Sequence, residues 1–370
     1  MGSITATPFQ NPFKDVPAGR TDGLTALVGQ FREDTDPNRT DLLVGVYKTE
    51  EGKAYVLPIS TQTLGASGGC HVGAVMLKNH YGPWKGSGNP EIFLPSDSWL
   101  NHPFVFTSAG IKTSLLPYFS SKTNTFDFES FLEAIKSLPA QSVILLQSGA
   151  QNPTGCDPSL DQWRELASIF SERGHLAFFD AAYPGFASGD IDTDLQGVRL
   201  FAEQEIPLVF VSTYGKSFGL YSERVGILSI LVPNEEVGKN IETQLRLLAR
   251  AESGAPPDFG SKIIETVLSD DVLERQWRQE VRDMANQLKH RRIALREGLE
   301  KLGTPGDWRH ITDQNGMFSY VGLSVEQVTL LRNKYHVYLQ DSGRISIAGL
   351  NHFNIDYTAR SISAVIKATI

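Results

Sequence analysis

Residues 212–226 read STYGKSFGLYSERVG. Lys216 stands just past the apolar run PLVFVS (207–212), and Arg224 follows eight positions later, directly before a second apolar run, VGILSILV (225–232). The first apolar run reads as a strand with Lys216 at its end. A lysine delivered by a strand end into a pocket suits Schiff-base chemistry, because its amine must be held, partly desolvated, against a carbonyl carbon. Lys216 is therefore the first candidate for the chemistry. The letters GKS at 215–217 also suggest a phosphate-binding P-loop, but that motif needs a glycine where this chain has Phe210, inside the apolar run.

Outward from this stretch the same rhythm recurs. EIFL (91–94), SVILLQ (142–147), HLAFF (175–179), LVFVS (208–212) and VGILSILV (225–232) are short apolar runs separated by helical patterns, which predicts an α/β fold with parallel strands and crossover helices. One helix carries visible punctuation: Asp157 as cap, Pro158 in the first turn, an apolar stripe through SLDQWRELASIFSER, and Gly174 at the close. A long charged stretch from about Asp258 to Lys301 places Trp277, Val281, Met284, Leu288, Leu295 and Leu299 on one helical face. Beyond Gly303 short strands (MFSYVGL, RISIAGL) alternate with helices, as in a smaller α+β unit.

Bulk properties narrow the function. The chain has 370 residues, enough for two domains, with 34 Lys plus Arg against 42 Asp plus Glu. A net charge of −8 argues against nucleic acid or an anionic membrane as partner and favours a small-molecule substrate. The two cysteines, Cys70 and Cys156, lie outside any CxxC or His-rich pattern, so neither a metal site nor a disulfide framework is expected, and a reducing compartment is. The first residues lack the basic and apolar regions of a secretory signal, Ala6 breaks a myristoylation pattern, and no run is long enough to span a membrane. The expectation is a cytoplasmic protein.

In an open parallel sheet, ligands bind beyond the carboxyl ends of the strands. The residues following the apolar runs are Trp99, Asn101 and His102, then Asn152, then Asp180 and Tyr183, then Lys216. Taken singly, Asp180 reads equally well as a helix cap, Asn152 before Pro153 as a turn residue and Trp99 as a core aromatic. Taken together they supply an aromatic face, an amide, a carboxylate with a phenol, and an amine, which suits a flat, charged, aromatic cofactor. The segment TLGASGGCHVGAVMLKNHY (63–81) adds a Gly-rich helix start whose backbone N–H groups near Ser67 and Gly68 suit a phosphate, although small-residue helix packing explains it equally well.

At this point the chain resembles the aspartate aminotransferase group of fold-type I enzymes, which depend on pyridoxal 5′-phosphate. The resemblance runs through TQTLGASGGCHVGA (61–74), PSDSWLNH (95–102), QNPTG (151–155), FFDAAYPGFASGDIDTD (178–194), GKSFGLYSERVG (215–226), SGAPPDFG (253–260) and VYLQDSGRISIAGLN (337–351). It implies an arm over 1–20, a segment 21–44 belonging to a small domain, a large cofactor-binding domain over 45–280, and the rest of the small domain over 281–370. It also implies a homodimer with shared active sites. Lys216 matches the lysine that bonds to the cofactor and moves the substrate α-proton. Asp180 matches the carboxylate on the pyridine nitrogen, with His102 behind it. Tyr183 and Asn152 match the partners of the ring oxygen, and Trp99 the stacking ring. Arg224 and Thr213 match phosphate ligands, as do the backbone groups near Ser67 and Gly68. Arg344 matches the arginine for the substrate α-carboxylate, with Gly45 closing over it. Arg250 matches the arginine that reaches a side-chain carboxylate in the neighbouring subunit's site.

Several positions depart from that pattern. VLPIS (56–60) runs directly into TQTLG, where the family inserts several dozen residues carrying a tyrosine for the partner's phosphate site. Gly65 and Gly215 replace serines, Gln147 and Gln151 replace histidines, and Pro184 replaces a glutamine. Each lost hydrogen bond of this kind is worth about 1–3 kcal/mol, so weaker cofactor retention is expected. Three readings remain open on the sequence. One is an aminotransferase for a dicarboxylic amino acid and a 2-oxo acid. The second is a relative performing elimination, substitution or decarboxylation with the same cofactor. The third is a non-catalytic dimeric relative.

Overall fold

The computed structural model of the chain describes residues 60–85 and 89–369, together with Asp15 and Pro17. Gly45, the expected segment 21–44 and the rest of the expected arm lie outside the described residues.

A seven-stranded sheet organises the larger part. Its strands are β1 (Ser60–Leu64), β2 (Glu91–Pro95), β3 (Lys112–Leu116), β6 (Val143–Gln147), β7 (Leu176–Ala181), β8 (Leu208–Thr213) and β9 (Val225–Ile230), in the order β1-β9-β8-β7-β6-β2-β3. Two short pairs stand apart: β4 (Phe119–Ser120) with β5 (Thr125–Phe126), and β10 (Phe318–Tyr320) with β11 (Arg344–Ser346). Strands β3, β2, β6, β7 and β8 are parallel, as the alternation with helices predicts. β9, which the sequence rhythm placed among the parallel strands, instead runs antiparallel to β8, because the loop holding Lys216 turns the chain straight back with no crossover helix, and β1 pairs antiparallel with β9. All residues of β6 and β7 are buried, which is why they read as unbroken apolar runs. One face of the sheet packs on the helix Gly65–His80 through Cys70, Ala74 and Leu77, and the other on Phe131, Leu166 and Phe170.

A third core gathers the carboxy-terminal helices and the β10–β11 pair around Leu295, Leu299, Val328, Leu331 and Ile362. The helix Asp271–Lys301 reaches from the sheet to this core, burying Trp277, Val281, Leu288, Leu295 and Leu299 along the expected stripe.

Two further expectations need correction. The helix after the QNPTG loop is capped by Ser159, which forms a capping box with Gln162, and not by Asp157. The Asp157 carboxylate instead accepts the Ala150 and Gln151 amides, at 2.7 and 2.9 Å, and so is used up on the loop. The stretch 258–301 is two helices, Phe259–Leu268 and Asp271–Lys301, because Asp270 accepts the amides of Val272 and Leu273 and starts a new helix. The strand β1 was not foreseen, since STQTL carries no apolar alternation strong enough to mark it.

Candidate active site

The parallel register sets Gln147 beside Asp180 and Ala181 beside Ser212, so three strand ends finish at one level. There they meet the amino end of the helix Gly65–His80 and enclose a cavity of about 190 Å³. Its walls include Lys216, Asp180, Tyr183, Asn152, Trp99, Ser67, Thr213 and Arg224, which the sequence had singled out, and also Gln147 and Tyr221.

Lys216 sits in the tight loop between β8 and β9. Its Nζ lies 5.4 Å from the Tyr183 ring centroid and 4.9 Å from that of Tyr221. Burial, with the Arg224 charge adding to it, holds the Lys216 pKa below the ordinary lysine value. Both effects favour the neutral, nucleophilic amine. The loop is held from outside by Trp277, whose Nε1 donates to the Ser217 carbonyl at 3.0 Å and whose ring stacks on Phe218 at 4.5 Å.

Asp180 is 4% exposed. Its Oδ2 lies 2.9 Å from His102 Nε2, and His102 Nδ1 lies 2.7 Å from Ser98 Oγ. The other oxygen, Oδ1, is buried with no hydrogen-bond partner among the described residues. A lone buried carboxylate oxygen on a cavity wall is costly unless a donor arrives to meet it. The donor set thus fits a ligand that brings a cationic ring N–H to Asp180 and a carbonyl to Lys216. Beside this pair lies Cys70; its sulfur, an imidazole nitrogen of His102 and an oxygen of Asp180 fall within 4.8 Å of one another. Burial, and next the Asp180 charge, push the Cys70 thiol pKa well up, so it stays neutral.

Tyr183 is pushed up to about 12 by burial and then by Asp180, which keeps its hydroxyl a proton donor. Asn152 is held by its own main chain: Gln147 Nε2 donates to its carbonyl at 3.0 Å and its amide donates to Gln147 Oε1 at 3.1 Å. The Asn152 side chain accepts Arg344 Nη1 at 3.1 Å, so Arg344 joins the site through Asn152. Trp99 meets His102 edge to face, with centroids 5.3 Å apart.

At the opposite end, Arg224 donates to the carbonyls of Tyr221 and Leu64, each at 3.2 Å. Gly65 has φ +67°, and a Cβ there would lie 2.5 Å from Arg224 Nη2. The glycine therefore lets the guanidinium approach the helix start, where an anion is favoured. Gly68 belongs to the first turns of that helix, whereas Ser67 reaches the cavity itself. The Thr213 hydroxyl donates to the Val225 carbonyl at 3.0 Å and accepts the Gly215 amide at 3.2 Å, so its proton is committed to the loop. Arg250 lies exposed in the last turn of the helix Glu235–Ser253 and is not part of the cavity wall. Sequence reasoning missed the bracing by Gln147, Tyr221 and Trp277. Tyr221 lies inside the decisive stretch, but nothing in its spacing marks it as facing the lysine.

The family model for aminotransferases of class I and II matches residues 54–362. The chain belongs to this family. It is 33% identical to the cytoplasmic aspartate aminotransferase of Dictyostelium discoideum, over 96% of this chain and 91% of that one. It is 35% identical to aspartate aminotransferase 1 of Medicago sativa, over 93% of each. The Dictyostelium alignment is 402 positions long, so several dozen of them have no counterpart in this chain. Among solved structures, the cytoplasmic aspartate aminotransferase of Saccharomyces cerevisiae superposes with a TM-score of 0.79 at 31% identity, covering 97% of this chain and 99% of that one. An aromatic-amino-acid aminotransferase of Burkholderia pseudomallei, covalently bound to pyridoxal phosphate, gives 0.80 at 29% identity, covering 96% and 100%. This aminotransferase therefore has the fold-type I architecture that its sequence implied.

Proposed function

We propose that this aminotransferase holds pyridoxal 5′-phosphate between Lys216 and Asp180 and moves an amino group between an aspartate- or glutamate-like dicarboxylic amino acid and a 2-oxo acid. The observation that carries the reading is Asp180 Oδ1, which has no hydrogen-bond partner among the described residues, in a cavity shared with Lys216. When bound, the cofactor supplies an aromatic ring that accepts the electron pair released at the substrate α-carbon. The chain's own residues do the rest. Asp180 receives the ring N–H and keeps it charged. Tyr183 and Asn152 donate to the ring oxygen, Trp99 covers the ring face, and Arg224 with the helix start at Ser67 and Gly68 takes the phosphate. Lys216 takes the α-proton and returns it; the bias toward its neutral amine suits both steps. Arg344 grips the α-carboxylate, and Arg250 serves the side-chain carboxylate in a partner subunit's site.

The aspartate aminotransferases among the relatives support the dicarboxylic preference, and the shared site makes a homodimer the working assembly. On this reading the chain divides into a large domain over 45–280 and a small one made of 21–44 and 281–370, bridged by the helix Asp271–Lys301. The proposed compartment is the cytoplasm, as for the named Dictyostelium relative; a mitochondrial aspartate aminotransferase of the same organism is 34% identical, so cell fractionation is the relevant check. No helix among the described residues is long and apolar enough to cross a membrane. The enzymatic test is direct. Purified protein with pyridoxal phosphate, aspartate and 2-oxoglutarate should yield oxaloacetate and glutamate in equal amounts. Release of ammonia or carbon dioxide in their place would select the elimination or decarboxylation reading.

A further inference from the structure

Arg292, midway along the helix Asp271–Lys301, is 2% exposed and forms no salt bridge among the described residues. Its two terminal nitrogens are met by carbonyls, while Nε is buried with no hydrogen-bond partner among the described residues. Nη1 donates to Ile311 at 2.9 Å, and Nη2 faces the carbonyls of Asn315, Gly316 and Phe318 at 2.6, 3.0 and 2.5 Å. Burial pulls its pKa down to about 10, with Cys156 and Asp157 opposing the fall. A buried guanidinium lacking a hydrogen-bonded carboxylate is an expensive way to fill a core that a methionine could fill. What it achieves is to gather the carbonyls of one turn.

That turn leads into β10, which pairs antiparallel with β11 so that Tyr320 faces Arg344. Phe318 gives its carbonyl to Arg292 and its ring to Arg344, whose guanidinium carbon lies 4.1 Å from the ring centroid. The same turn is fastened to the loop of Asn152: the Asn315 amide donates to the Gly155 carbonyl at 2.7 Å. Close approach there depends on two glycines, since a Cβ on Gly155 would lie 2.6 Å from the Asn315 carbonyl and one on Gly316 would lie 2.3 Å from Ala150 Cβ. The Phe318 ring and the Asn152 amide, which touch the Arg344 guanidinium, are therefore both referenced to the turn that Arg292 holds.

We propose that Arg292 is a positioning residue for carboxylate recognition: by gathering the 311–318 carbonyls it fixes the Phe318–Asn152 bracket and so aims Arg344 at the substrate carboxylate. The inference rests on the assignment of Arg344 made above. A contribution to stability alone would lower the amount of folded enzyme and affect all substrates alike. A positioning role affects those with a carboxylate.

The test uses the cofactor-loaded enzyme and three variants: Arg292→Met, Arg292→Lys and Phe318→Leu. Succinate, an unreactive dicarboxylate, is titrated by calorimetry. Rates of cofactor conversion are compared for aspartate and for butylamine, which has no carboxylate. In Arg292→Met we expect succinate to bind roughly tenfold more weakly, and the rate with aspartate at low concentration to fall roughly tenfold more than the rate with butylamine. Arg292→Lys should recover part of both losses, and Phe318→Leu should show the same split from the other side of the bracket. Arg344→Lys serves as reference. A split there with none in the folded Arg292 variants overturns this inference alone; no split there overturns the Arg344 assignment and the inference with it. Should Arg292→Met not fold, Arg292→Lys and Phe318→Leu decide the matter by the same criterion.

Discussion

His102 Nε2 lies 2.9 Å from Asp180 Oδ2, so one oxygen of the carboxylate is engaged by the imidazole while Oδ1 is left for the cavity. The carboxylate is thereby fixed in direction as well as in place. Asp180→Ala should retain cofactor through Lys216 and Arg224 yet lower the turnover rate roughly 10²–10³-fold, because the charge facing the ring nitrogen is gone. His102→Phe should cost much less, about tenfold, as the loss of one charge-assisted hydrogen bond. Steady-state rates at saturating cofactor separate the two; equal losses would mean that the imidazole does more than aim the carboxylate.

Lys216→Ala should abolish turnover with the fold intact by circular dichroism. The depressed Lys216 pKa also has a signature in the cofactor-free protein. The folded state disfavours the ammonium, so between the lowered folded pKa and the ordinary value of about 10.4 the unfolded chain binds more protons, and stability rises with pH. Lys216→Met escapes this penalty. It should melt above wild type at pH 7, and the gap should narrow as the pH approaches 10. A gap that widens with pH would reverse the sign assigned to the site.

Arg344 and Arg250 are assigned to different carboxylates and should fail differently. Arg344→Ala should weaken every amino-acid substrate, whereas Arg250→Ala should weaken aspartate and glutamate and spare alanine. The ratio of kcat/KM for aspartate to that for alanine is the measurement. An unchanged ratio in the Arg250 variant would remove that residue from the substrate site.

Gly65→Ala combines a left-handed backbone with a collision against Arg224, whereas Gly303, at φ +58°, has open space around the added carbon. Both substitutions should cost about 1–2 kcal/mol in denaturant unfolding for the conformation alone. Only Gly65→Ala should also weaken pyridoxal phosphate binding, seen by titrating dialysed protein and following the absorbance of the lysine-bound cofactor. Equal cofactor affinity in the two variants would show that the guanidinium does not need this close approach.

What was legible in the sequence follows from what is local. β6 and β7 are buried on both faces and so announce themselves as apolar runs, and the polar residue after each run is carried to the cavity by the sheet itself. The reversal at β9 was not legible, because an apolar run has no direction. Asp157 and Ser159 compete for one cap within three residues, and the choice depends on loop amides at 150 and 151 that only the fold brings near. Nothing in the sequence sets Arg292 apart from the other basic residues of a charged stretch, since its acceptors lie 19 to 26 positions away and are backbone carbonyls, which leave no trace in side-chain identity.

One rod reaches the supports of both Lys216 and Arg344. Trp277 and Arg292 are 15 positions apart on an unbroken helix, or about 22 Å at 1.5 Å per residue; the first holds the carbonyl of Ser217, next to Lys216, and the second the turn whose Phe318 ring meets Arg344. Pivoting about Trp277, a tilt of only about 3° would carry Arg292 sideways by about 1 Å, a misplacement of the size that costs enzymes dearly in rate. On the roles proposed for Lys216 and Arg344, the helix acts as a caliper that ties the position of the amine to that of the guanidinium.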